Sequence, residues 1–302
     1  MLTRRRTIVA MACAALLPAA PAGAQDKLHV IASFSILGDL VKNVGGERLQ
    51  VGTLVGPNGN AHVYAPSPGD AKSVADAKLV FVNGLGFEGW IDRLVKASGT
   101  KAPIIVATKG IKPRERVGAG GHDHDHGPAD PHAWQSVANA KVYVANIRDA
   151  LIAADPAGKD VYTANAAAYL ARLDALEQEV RDVIAKVPAD RRRVITSHAA
   201  FGYFQDAYGV RFTAPQGVST EAEASAKDVA AIITQIKKQK IPAVFLENVT
   251  DPRLVQQIAR ETGAKIGGTL YSDALTDEKG EAPGYLEMMR HNVKQLAAAL
   301  TS

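Results

Sequence analysis

Residues 78–108 read KLVFVNGLGFEGWIDRLVKASGTKAPIIVAT. Two unbroken apolar runs, KLVFVN (78–83) and PIIVAT (103–108), flank a stretch, GWIDRLVKAS, with the spacing of an amphipathic helix. A strand with one wet face alternates apolar and polar residues, so a continuous apolar run bounded by turn residues is covered on both faces. Strand, helix and strand in that order make a parallel pair joined by a crossover, and such sheets carry helices on both sides.

The same grammar extends outward in both directions. LHVIASFSI (28–36) and LQVGTLV (49–55) precede the opening stretch, and Ser67-Pro68-Gly69-Asp70 is a capping box with proline in the first turn. RVITSH (193–198), VRFTA (210–214), AVFLEN (243–248) and AKIGGTL (264–270) repeat the scheme in the second half. Their helices are AAFGYFQDAYG, a capping box at Ser225 and Asp228, Asp251-Pro252 running to Gly263, and a last helix from about Gly284. Between the halves, Leu170, Leu173, Leu176, Val180, Ile184 and Val187 form one helical stripe. The expected fold is α/β: two Rossmann-like lobes, each a parallel sheet flanked by helices, joined by a long rigid linker helix. The lobes are read as 25–155 and 188–302, with the linker at 156–187, on the prior that a chain this long divides its core between two domains.

The N-terminus reads as a secretory signal peptide over residues 1–24. Arg4-Arg5-Arg6 is followed by a short apolar region and by Ala22-Gly23-Ala24, which suits cleavage. The apolar run is too short to span a bilayer. Arg5-Arg6 leaves both the Sec and Tat routes open, and the expected location is the periplasm. Cys13, the one cysteine of the chain, falls inside this segment, in a context that fits a lipobox poorly. The remaining chain therefore has no disulfide and no thiolate site. Loss of three arginines leaves 32 basic against 31 acidic residues, which excludes a polycationic nucleic-acid binder.

Four of the eight histidines lie between positions 122 and 132, in GGHDHDHGPADPHAW (120–134). Residues 112–130 lack periodicity and read as a mobile loop, in which His122, His124 and His126 form a low-affinity metal collector or a solvated run. His132, after Asp130-Pro131, is the expected tight-site ligand. His62 follows a strand across a short turn, and His198 and Asp273 lie at or just past strand ends. Ligands of open α/β sheets bind outside the carboxyl ends of strands, so these four side chains are placed to meet between the lobes. Three neutral imidazoles and one carboxylate tilt toward zinc, because nitrogen donors favour later metals. Glu221, Glu223 and Glu247 are alternatives to Asp273 or outer partners, and His29 and His291 are read as structural. Affinity is expected to fall as the pH drops through ~6, because imidazoles must shed protons to bind.

Gly84-Leu85-Gly86-Phe87-Glu88-Gly89 matches a dinucleotide fingerprint. The acidic residue expected after the next strand is absent, so the glycines are assigned to a tight turn. There is no phosphate-binding G-x-x-x-x-G-K-[ST] and no H-E-x-x-H.

AHVYAPSPGDAKSVADAKLVFVNGLGFEGW, ADPHAWQSVANAKVYVANI, TSHAAFGYFQDAYGV, GVSTEAEASAKDVA and LYSDAL, in this order, resemble the signatures of the zinc/manganese solute-binding proteins of bacterial ABC importers. The resemblance covers nearly the whole chain after residue 24. It implies two α/β lobes on one rigid helix, a Zn2+ cargo held between them by His62, His132, His198 and Asp273, and delivery to a membrane permease served by a separate ATPase subunit. The histidine-rich loop resembles the zinc branch. One departure stands out: the family's first motif carries an acid and a proline before its histidine, where this chain has Asn60 and Ala61. A periplasmic metallochaperone is a further candidate partner, the chain is expected to be a monomer, and no enzymatic activity is expected. A manganese-binding importer component and a zinc hydrolase with Glu223 or Glu247 as base are the alternatives.

Overall fold

The computed structural model describes residues 27–115 and 129–301. The first lobe is built on β1 (Leu28–Phe34), α1 (Ser35–Gly45), β2 (Leu49–Val55), α2 (Pro68–Asp76), β3 (Leu79–Val82), α3 (Ile91–Ser98) and β4 (Ile104–Val106). Its sheet has the order β2-β1-β3-β4, with every pair parallel. A two-stranded antiparallel ladder, β5 (Arg114–Glu115) with β6 (Ala129–Asp130), leads to α4 (Val137–Ala154) and α5 (Lys159–Ala185). The second lobe holds β7 (Arg193–Ile195), α6 (Gly202–Tyr208), β8 (Arg211–Thr213), α7 (Ala226–Gln239), β9 (Ala243–Glu247), α8 (Pro252–Thr262), β10 (Lys265–Leu270) and α9 (Tyr285–Thr301). Its sheet, β10-β9-β7-β8, is also parallel throughout. In both lobes the first strand lies between the second and the third, with the fourth outside the third. The carboxyl ends beside this central strand are where such sheets take ligands.

Helix α5 is 27 residues long, about 40 Å of axial rise, and reaches from one lobe to the other. It buries Tyr169, Leu173, Leu176, Val180 and Ile184 along one stripe and packs on α1 and α4 of the first lobe and on α6 and α9 of the second. The largest apolar cluster runs without a break from Val30 and Leu37 through Leu173 and Leu176 to Phe204 and Leu296. Helix α9 causes this, because it returns to lie against both α5 and α1. A smaller cluster, with Ile195, Ile232, Val244 and Ile258, fills the space between the second sheet and α7 and α8.

Local signals act as the residues dictate. Ser67 and Asp70 form a reciprocal capping box. At Ser225 only half of one forms: Oγ accepts from Asp228 N–H, while the Asp228 carboxylate takes the serine hydroxyl instead of the backbone. Gly84, Leu85 and Gly86 all have positive φ, which explains two of the glycines in the fingerprint-like stretch. The N–H groups of Asn83 and Gly84, at the head of that turn, donate to the buried carboxylate of Glu88 at 2.7 and 3.3 Å. A phosphate would have to displace this acid, which agrees with the reading as a structural turn. Residues 112–115 and 129–130 are ordered as well: Arg114 ties the ladder down through Asp130 and Asp206, so the stretch expected to be loose is anchored at both ends. His122, His124 and His126 lie outside the described residues. No described helix is long and apolar enough to cross a membrane.

Candidate metal centre

His62 stands beyond the end of β2, after a turn through Asn58, Gly59 and Asn60. His132 follows β6, His198 lies three residues past β7, and Asp273 lies three past β10. Four segments far apart in the chain thus supply one side chain each, and one ligand atom from each lies within 4.8 Å of the other three. His62 Nε2 is 3.3 Å from His132 Nε2 and 3.3 Å from Asp273 Oδ2. His132 Nε2 is 3.5 Å from Asp273 Oδ1, and His198 Nε2 is 3.1 Å from Asp273 Oδ2. All four residues are buried, with exposure between 0 % and 2 %. This is the one group of three or more His, Cys, Asp and Glu among the described residues that is placed to hold a metal.

Each of the four side chains is aimed by what lies behind it. Asp130 Oδ1 accepts from the backbone N–H of His132 at 3.0 Å and stands 2.9 Å from its ring Nδ1. Glu247, the last residue of β9, accepts the N–H groups of Ser197 and His198 through Oε1, at 2.7 and 3.0 Å. Its other oxygen approaches His198 Nδ1 to 2.7 Å. Both imidazoles therefore keep Nδ1 on a carboxylate and turn Nε2 inward, the arrangement that fixes tautomer and ring orientation in metal sites. His62 differs. Asn60 Oδ1 accepts its backbone N–H at 3.0 Å, but no carboxylate among the described residues stands against ring Nδ1, where Asp130 and Glu247 serve the other two. The ring of Phe87 packs edge-on against it, with centroids 4.7 Å apart. Asp273 is held through its neighbour: Trp134 Nε1 and Gln135 Nε2 both donate to Ser272 O, at 2.9 and 2.8 Å.

The electrostatics follow from the same contacts. Burial pushes the His62 pKa down to about 4 against the pull of Asp273. Burial also works against charge on His132 and His198, but facing carboxylates outweigh it. Asp273 and Asp130 raise His132, and Glu247 and Asp273 raise His198 well above its usual value. Burial would lift Asp273, yet the facing imidazoles of His198 and His132 hold it well below the ordinary carboxylate range. The arrangement keeps negative charge on Asp273 beside three imidazoles, and a cation held there would displace protons from them.

The alternative acids are now placed. Glu247 lies behind His198. Glu221 and Glu223 are exposed, each lining a cleft beside the centre. His29 Nδ1 is 3.5 Å from Asp76 O and His291 Nε2 is 3.0 Å from Thr269 O, both away from the cluster. Sequence reasoning passed over Asp130 as a partner of His132. The signal was present as an acid two residues before a ligand, with Asn60 in the matching place before His62.

The family model described as ZnuA, zinc-uptake complex component A periplasmic, matches residues 30–299. Among curated proteins, the iron-binding protein YfeA of Yersinia pestis is 34% identical over 295 residues, which cover 96% of this chain and 93% of the relative. The manganese-binding lipoprotein MntA of Halalkalibacterium halodurans is 34% identical over 292 residues, covering 94% of each. The solved periplasmic zinc binding protein TroA of Treponema pallidum superposes with a TM-score of 0.84 at 30% identity, covering 91% of this chain and 99% of that one. These relatives are named for three different metals: iron, manganese and zinc. The match over nearly all of both lobes, together with the buried donor cluster between them, leads to one conclusion: the chain belongs to the ZnuA family, the periplasmic metal-binding components of ABC importers.

Proposed function

We propose that this chain captures one Zn2+ in the periplasm through His62, His132, His198 and Asp273 and delivers it to a membrane permease powered by a separate ATPase. The carrying observation is the spacing of the four donors. Ligands ~2.0–2.2 Å from a tetrahedral cation stand about 3.3–3.6 Å apart. The closest pairs here are separated by 3.1–3.5 Å. Three nitrogens and one oxygen suit zinc better than manganese, whose sites are richer in oxygen. Both oxygens of Asp273 are buried without a hydrogen-bond donor among the described residues, which suits an acid that answers to a cation. The segment read as a signal at 1–24 suits export of this chain to the periplasm.

A manganese cargo is the second reading, favoured by the name of the relative MntA at 34% identity. Uptake of Zn2+ and of Mn2+ by cells that carry the chain or lack its gene, each metal supplied at a growth-limiting level, separates the two, whereas competition in vitro does not, because zinc out-competes manganese at most nitrogen and oxygen sites. The zinc reading expects the deletion to lose Zn2+ uptake and to keep Mn2+ uptake. Loss of Mn2+ uptake with Zn2+ uptake intact overturns it in favour of manganese.

A further inference from the structure

The two histidines of the first lobe each have a side chain two residues earlier that accepts their backbone N–H, and these two supports are built differently. Asp130 spends its carboxylate on His132 and on Arg114, whose guanidinium is 3.4 Å away. Asn60 accepts from His62 N–H and turns the rest of its amide across the gap to the second lobe. Its Nδ2 donates to Thr220 Oγ1 at 2.8 Å and to Val249 O at 3.1 Å, and the Thr220 hydroxyl is 3.1 Å from Asn60 Oδ1. A carboxylate at position 60 could accept but not donate, so it would lose the bond to Val249 O. The amide suits a contact between lobes.

The surroundings make this contact the easier one to open. Asn60, Thr220, Glu223 and Val249 line a cleft of about 380 Å³, and the neighbouring residues His62 and Glu221, with Trp90 and Arg93, line one of about 560 Å³. Around His132 the lobes are joined by buried donors instead: Trp134 and Gln135 on Ser272 O, and Tyr285 Oη on Trp134 O at 2.7 Å. Bonds beside solvent open more readily than buried ones, because water replaces the lost partner.

We propose that Asn60 is a positioning residue that makes the seating of His62 conditional on lobe closure, and that His62 is the first ligand to leave the metal when the Asn60–Thr220 contact breaks. The inference rests on the four side chains being the cargo ligands. With cargo buried behind residues of 0–2 % exposure, release requires some part of the shell to move. Separation of Thr220 and Val249 from Asn60 frees the amide that holds His62 N–H, and no carboxylate backs that imidazole. His132 and His198 stay braced by Asp130 and Glu247 through the same motion.

The test uses the full chain freed of residues 1–24 and loaded with Co2+, whose visible ligand-field spectrum reports the donor set. Release into excess chelator is followed by stopped flow for wild type, Asn60→Ala, Thr220→Val, the double variant and Thr220→Ser. Each single loss should speed release about tenfold, as expected for removing one or two hydrogen bonds. The double variant should release no faster than the faster single, because both remove one shared contact. Thr220→Ser should restore the wild-type rate, and the spectrum of loaded Thr220→Val should match wild type. Release within about twofold of wild type in both single variants, or rates that multiply in the double, overturns the proposal. Failure of the wild type itself to bind one Co2+ tightly sinks the ligand assignment instead, a different result from normal loading with unchanged release.

Discussion

The substitution Asp130→Asn tests how the centre is wired. It keeps the volume of a fully buried side chain and leaves an oxygen to accept from His132 N–H at 3.0 Å and from Nδ1 at 2.9 Å. What it removes is the negative charge behind the imidazole. A hydrogen bond to a charged acceptor contributes ~1.5–3 kcal/mol and a neutral one ~0.5–1.5. The cation thus loses about 1–1.5 kcal/mol of support through His132, a five- to fifteenfold weakening. That agrees with the lower end of the ~10–100-fold expected for losing a partner behind a ligand. A second effect opposes the first. Asp130 also helps raise the His132 pKa, so without its charge fewer protons compete with the metal near neutrality and the dependence of affinity on pH becomes shallower. The assay is a competition titration of Zn2+ against a chelator of known affinity, repeated across neutral pH. An affinity equal to wild type with an unchanged pH slope would refute the argument that Asp130 acts on the metal through His132. Asn60 is the natural comparison, since an amide already stands at the matching position before His62.

Other expectations follow from the same contacts. Affinity should fall as the pH drops, because His132 and His198 have pKa values raised above 6.5, so protons displace the metal as the pH falls through those raised values; His62, at about 4, adds nothing until more acid conditions. Calorimetry in buffers of different ionisation enthalpy should show net proton release on binding at neutral pH, and the decline should begin above the ~6 expected from free imidazole. Gly202→Ala should weaken binding without touching a ligand, since a Cβ there would stand 2.3 Å from Asp130 Oδ2 and 2.5 Å from Arg114 Nη1; unchanged Zn2+ affinity would show that the site tolerates displacement of Asp130. Deleting residues 116–128 and bridging Glu115 to Ala129 with a short turn should keep one tight site in a metal titration, and its loss would mean that the loop supplies a tight ligand.

Much of this protein was legible in one dimension, because the interactions that announce it are local. Continuous apolar runs at 78–83 and 243–248 require strands covered on both faces, capping residues such as Ser67 and Asp251 mark helix starts, and Gly209 and Gly263 mark stops with positive φ. The four centre residues were also placed, because strand ends can be counted. What counting does not show is which partner stands behind a side chain. Glu247 was one of several acids open as a ligand. It proved to lie behind His198 because β9 runs beside β7 and delivers its last residue to the far side of that imidazole. The path of α9 back across α5 and α1, which merges the core of the two lobes, depends on contacts between residues more than a hundred positions apart. The length and stripe of α5 were set by its own sequence. The distance between lobes, and so the spacing of His62 and His132 from His198 and Asp273, was decided by side chains such as Asn60 and Trp134 meeting partners that no local pattern identifies.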